Sequence, residues 1–127
     1  MKILITRWFG KWLKKVNMEM GDLISSAKYL NDNPGSSISL GSGLYKVRIR
    51  RKHKGKSGGY RTLLVFRKEK LALYVYGFSK NEKDDLEQDE LKLFKKLSKD
   101  ILFMNDQEII NQIQSGSFID LEAKNEK

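Results

Sequence analysis

Cysteine is absent from this chain of 127 residues. Its absence excludes disulfides, thiolate metal sites and a cysteine nucleophile, and agrees with a reducing cytoplasm. Histidine occurs once, as His53, so a two-histidine nuclease mechanism cannot be assembled within one chain. Proline also occurs once, which argues against long Pro-rich disordered segments. No stretch approaches the roughly 18 apolar residues of a membrane span. The apolar run at Met1–Ile5 is too short for a secretory signal, and Arg7, Lys11, Lys14 and Lys15 follow at once. A P-loop is missing too, because Gly55-Lys-Ser57 lacks the first glycine at the required spacing.

What the chain has in excess is positive charge, concentrated in one place. The net charge is +9. Residues 44–68 carry ten Lys/Arg and no Asp/Glu, whereas residues 69–127 are net acidic. A block of this kind attracts a polyanion and speeds its capture; the bland alternative is a solvated basic face. The length favours one domain, expected over residues 1–122, with 123–127 as a frayed tail.

The patterning predicts an α+β fold, in which a small antiparallel sheet of three to four strands packs with two N-terminal helices and a long C-terminal helix. Lys2–Ile5 reads as a strand. Thr6 can cap a helix from Arg7 to Val16, with Trp8, Phe9, Trp12, Leu13 and Val16 on one core-facing side. That stripe also resembles a membrane-surface peptide, but a small domain needs these aromatics inside. A second helix is expected over Met20–Leu30, ended by Asn31-Asp-Asn-Pro-Gly. In Leu44–Arg51, Tyr45, Val47 and Ile49 alternate with Lys46, Arg48 and Arg50, so period two separates an apolar face from a cationic one. Residues 52–59 form a basic loop. Tyr60–Arg67 and Leu71–Phe78 are too apolar to be edge strands. Alternation puts Tyr74, Tyr76 and Phe78 on one face.

Glu82–Met104 reads as the long helix. Acids at Asp84, Asp85, Glu87, Asp89 and Glu90 fill its start, and Lys92, Lys95, Lys96 and Lys99 its end, as the helix dipole favours. That order explains the carboxylates more simply than a Mg²⁺ site would, and no metal or cofactor is expected. Asn105 and Glu108 form a capping-box pair for a last short helix, and Phe118–Leu121 is expected to dock as a strand.

The chemistry on offer is a cationic sheet with aromatics near it. Its cations are Lys46, Arg48, Arg50, Lys54, Lys56, Arg61 and Lys80, and its aromatics Tyr60, Phe66, Tyr74, Tyr76 and Phe78. RNA cleavage can run on such equipment. The ribose 2′-OH is the nucleophile, cations stabilise charge building on the phosphate, and aromatic rings hold an unstacked base. The candidate nucleic-acid contacts are Arg50, Arg51, Lys54, Lys56, Tyr60 and Lys83.

Three segments carry a resemblance. Gly43-Leu-Tyr-Lys-Val-Arg-Ile-Arg50, Gly55-Lys-Ser-Gly-Gly-Tyr-Arg61 and Tyr76-Gly-Phe-Ser-Lys-Asn-Glu-Lys-Asp-Asp-Leu86 resemble the RelE/HigB toxins of type II toxin–antitoxin systems. The phage-related HigB-like branch matches best. The likeness covers about residues 40–120, in the family's order. It implies a RelE-like fold and a metal-independent, ribosome-dependent endoribonuclease that cleaves mRNA. It also implies a co-expressed antitoxin, usually with a helix-turn-helix domain, whose contact surface should be acidic. Residue by residue, Arg61 matches the arginine that holds the scissile phosphate. Lys46 and Arg48 match basic positions of the preceding strand, and Lys80 the basic residue ending the next. The chain departs from some RelE toxins at Asn81, where they have a second arginine, and at Leu86, where they have a tyrosine. The acid/base role then falls to Lys80 or Lys56. Two other functions fit the charge pattern. One is a ParE-like toxin that inhibits gyrase; the other is a non-catalytic nucleic-acid-binding module.

Overall fold

The computed structural model describes residues 1–49 and 59–125. Among these residues six strands form one sheet in the order β2-β3-β4-β5-β1-β6. They are β1 (Lys2–Thr6), β2 (Ile38–Gly41), β3 (Leu44–Ile49), β4 (Tyr60–Arg67), β5 (Leu71–Ser79) and β6 (Phe118–Asp120). The helices are α1 (Arg7–Val16), α2 (Met20–Asp32), α3 (Gln88–Leu102), α4 (Asp106–Gln114) and α5 (Leu121–Asn125).

The sheet is larger than expected and is mixed. Strands β2 to β5 form an antiparallel meander, while β1 pairs parallel with β5 and antiparallel with β6. The sequence hides β2 because Ile-Ser-Leu-Gly is short and its strand is mostly exposed, so alternation has no buried face to mark. Three consecutive positive φ values, at Gly41, Ser42 and Gly43, make the tight turn from β2 into β3.

Helices cover both faces. Phe9 and Leu13 of α1 and Leu23, Ala27 and Leu30 of α2 pack against Ile3, Ile5, Val47, Ile49, Tyr60, Leu64, Phe66 and Tyr74. On the other face, Ile101 and Ile109 of α3 and α4 meet Leu4, Leu44, Leu63, Val65, Leu73 and Val75. Strand β4 is therefore apolar on both sides over Thr62–Phe66, the pattern of a central strand.

Local capping places the helix starts. Thr6 Oγ1 accepts the Phe9 N–H at 3.0 Å. Asn105 Oδ1 accepts from Glu108 N–H at 2.8 Å, and Glu108 Oε1 accepts from Asn105 N–H at 2.9 Å, so the expected capping box is present. The long helix begins later than predicted, at Gln88. Glu90 reaches back to the Glu87 N–H at 2.9 Å and fixes the start there. Residues 80–87 become a loop carrying Asp84 and Asp85. Helix α5 extends through part of the stretch where fraying was expected.

Two aromatic assignments change. Trp8 does not join the core stripe of α1: it is 80% exposed, with Lys11 Nζ 5.8 Å from its ring centroid. Tyr74 does not share a face with Tyr76 and Phe78. A register shift between Leu63 and Leu64 pairs these residues with Tyr76 and Tyr74, leaving Val75 as the extra residue. Tyr74 therefore packs under Phe9, with ring centroids 5.4 Å apart, and donates its hydroxyl to the Leu23 carbonyl at 2.8 Å. Burial pushes its own ionisation far up.

Gly77 lies beneath the indole of Trp12, where an added Cβ would fall within the ring's van der Waals envelope. Gly77→Ala is expected to cost about 1–3 kcal/mol through overpacking, read as a lower urea midpoint by tryptophan fluorescence. Gly21 in α2 has open space around its Cα. Gly21→Ala should therefore hold or raise that midpoint, by up to about 1 kcal/mol.

Candidate nucleic-acid interface

The face of the sheet that carries α3 also carries the cations. Register aligns Arg48, Arg61 and Phe78 in one row across β3, β4 and β5, and Lys46, Leu63 and Tyr76 in the next. Two arginines directly opposite on paired strands repel each other, so the position is costly unless an anion answers it. Strand β2 pairs with β3 only as far as Lys46, so among the described residues no strand covers the edge beside Arg48. Arg48 is exposed and also lines a cavity of about 180 Å³ with Asp22, Ser25 and Ser26 of α2.

Arg61 is the most informative residue of the site. It is half-buried, and its Nη1 is buried without a hydrogen-bond partner among the described residues. An unsatisfied buried donor costs about 1–3 kcal/mol, more when charged. That atom is closed to solvent, so an acceptor from outside the chain reaches it only once the side chain shifts.

Other cations are already engaged. Lys46 Nζ donates to Asp85 Oδ1 and Oδ2 at 3.2 and 3.3 Å. Lys83 Nζ donates to Glu90 Oε2 at 2.7 Å and lies 5.8 Å from the ring centroids of both Tyr76 and Phe78. Tyr76 donates its hydroxyl to the same Glu90 oxygen at 3.3 Å. Lys83 is thus a clamp between the loop, β5 and α3 rather than a free nucleic-acid contact. Its hydrogen bond to Glu90 holds its pKa above the usual lysine value, so it stays protonated at neutral pH. Lys80 follows the end of β5, is exposed, and makes no ion pair among the described residues.

The aromatic platform is narrower than the sequence implies. Tyr60 points to the opposite face, is 8% exposed, and meets Trp12 edge-on with ring centroids 5.4 Å apart, so it leaves the set of base-stacking candidates. Phe66 packs on Tyr45 on that same face. Phe78 is buried. Tyr76 alone of the five candidate aromatics is partly exposed, and it is braced by Phe94 at 4.9 Å. Arg50, Arg51, His53, Lys54 and Lys56 lie outside the described residues.

Sequence reasoning missed the role of the carboxylates. Asp85 and Glu90 were assigned to helix-dipole balance, yet they face the cations. The signal was available only as proximity of an acid run to the end of β5. Chain order could not show which cation each acid would meet.

A family model for the RelE toxin of the RelE/RelB toxin–antitoxin system matches residues 1–121. The match sets this helix-covered mixed sheet within a class of toxins that work in toxin–antitoxin systems. The chain belongs to the RelE toxin family, whose members pair with an antitoxin. A comparison with curated proteins returned no match. Among the described residues, no helix is long and apolar enough to cross a membrane.

Asp85 and Glu90 both ionise below the usual carboxylate range. The Leu86 N–H and then Lys46 lower Asp85, while the Glu87 N–H and then Lys83 lower Glu90. Depressed carboxyls contribute stability that is complete above their unfolded values and is lost as pH falls through the folded ones. The loop's anchors should therefore hold at neutral pH and release only under acid. Carboxyl ¹³C titration should give Asp85 and Glu90 midpoints below the ordinary aspartate and glutamate values.

Proposed function

We propose that this toxin is a ribosome-dependent endoribonuclease of the HigB-like branch, acting on mRNA in the cytoplasm without a metal. The observation that carries this reading is the unsatisfied Nη1 of Arg61, set in the row it shares with Arg48 and next to Lys46. A phosphodiester oxygen would satisfy that donor once the guanidinium turns outward, and the surrounding cations would stabilise the extra negative charge of the pentacoordinate phosphorus. The ribose 2′-OH attacks phosphorus while the bond to the 5′-oxygen breaks, leaving a cyclic phosphate and a free 5′-hydroxyl. Arg61 neutralises charge at the phosphate. Arg48 supplies a second charge beside it. In this reading Lys80, exposed just after β5, exchanges protons with the nucleophile or leaving group. Tyr76 offers a partly exposed ring to a base. The antitoxin's acidic surface would cover the same cations and block this face.

Arg61→Ala should lower mRNA cleavage by about a hundredfold or more and abolish growth arrest. Its circular dichroism should match that of the unaltered chain. Transcript 5′-end mapping after induction checks the first point. A fully toxic Arg61→Ala variant would remove Arg61 from the site. Intact transcripts in arrested cells would redirect the search to a protein target such as gyrase.

A further inference from the structure

The loop between β5 and α3 lays a carboxylate on a surface built for anions. Asp85 places both its oxygens within 3.3 Å of Lys46 Nζ, and the Arg61 charge also acts on this carboxyl. The Lys46 side chain is largely covered, at 18% exposure, whereas Asp85 remains 61% exposed. Nη1 of Arg61 nevertheless stays without an acceptor among the described residues. Asp85 therefore answers the charge of the corner without completing its hydrogen bonds. A phosphodiester presents the same paired anionic oxygens on a larger, tetrahedral centre, which could engage Lys46 and Arg61 together.

We infer that Asp85 is an internal occupant of the phosphate subsite formed by Lys46 and Arg61, and that an incoming RNA phosphodiester must displace it. This rests on the RNA-directed reading above and adds the residue that sets the threshold for entry. A tethered carboxylate competes at a high effective concentration. A lone phosphate displaces it poorly, whereas an RNA chain gains contacts at neighbouring cations and displaces it readily. Asp85 thus selects for polymer over free anion. The exposed loop can swing aside, because Asp85 is held locally by the Leu86 N–H at 2.8 Å and across the site only by Lys46 among the described residues.

Asp85→Asn tests this, since an amide oxygen still accepts from Leu86 while the charge is gone. Asp84→Asn is the control, removing an equal charge from the neighbouring exposed residue. The probe is a fluorescent, uncleavable 2′-O-methyl RNA 12-mer, followed by anisotropy across a salt series. Asp85→Asn should bind about fivefold tighter than the unaltered chain. Its log–log salt slope should steepen by about 0.7, as Lys46 becomes free to neutralise one more phosphate. Asp84→Asn should change both quantities less. Equal effects of the two variants, no tightening by Asp85→Asn, or no binding by any of the three proteins overturns the inference. Cleavage on translating ribosomes is scored separately. Tightening without cleavage by any protein leaves the occupied subsite standing and removes the nuclease reading; cleavage with unchanged binding does the reverse.

Discussion

Two like charges fixed opposite each other on paired strands dominate this molecule. The ladder that holds β3 to β4 fixes the backbones of Arg48 and Arg61 opposite each other. Nearby carboxylates lower the cost of that pairing. The chain draws its counter-charges from the segment after β5, where Asp85 meets Lys46 and Glu90 meets Lys83. The acids that begin α3 therefore do two things. They suit the positive end of the helix dipole, and they balance the basic corner beside it. The position of α3 and the electrostatics of the site are set by the same residues.

The opposite face of the sheet makes that corner rigid. Trp12 lies on Gly77, Tyr60 meets Trp12 edge-on, and Phe9 stacks on Tyr74. This aromatic wall backs the ends of β4 and β5, where Arg61 and Phe78 point the other way. Asn31 ties the far end of the same hairpin, accepting the Glu69 N–H at 2.7 Å where that residue takes a positive φ. The hairpin is thus held at both ends by groups remote from the cations, and a ligand's arrival need not reorganise it.

Much of this was legible in the chain. Helix α1 and strand β4 follow their apolar patterns, because one side of α1 and both sides of β4 meet packed surfaces and each has a clear terminus: Thr6 for α1, and the turn at Arg67–Lys70 for β4. The separation of Lys46 and Arg48 from Val47 and Ile49 is period-two alternation realised in the sheet. Strand β2 was illegible because an exposed edge leaves no burial pattern. The parallel pairing of β1 with β5 was illegible because it joins segments some seventy residues apart. In the site, Arg61 and Lys46 were visible from type and position. Tyr60 was misread, since an aromatic beside a basic residue looks like a stacking platform until the pleat assigns it a side. The partners of Lys46 and Lys83 depend on how an irregular loop folds back, which no periodicity encodes.

The extra residue at Val75 has a wider meaning. Upstream of it, β5 turns Tyr74 toward the helices that close the interior. Downstream, it turns Tyr76 toward the cations and Gly77 toward Trp12. Were Val75 instead to take a partner of its own on an unbroken pleat, a glycine would look out over the arginines and two rings would be driven against the indole. One irregular step in the ladder thus decides which side chains of β5 meet the cations and which meet the aromatic wall.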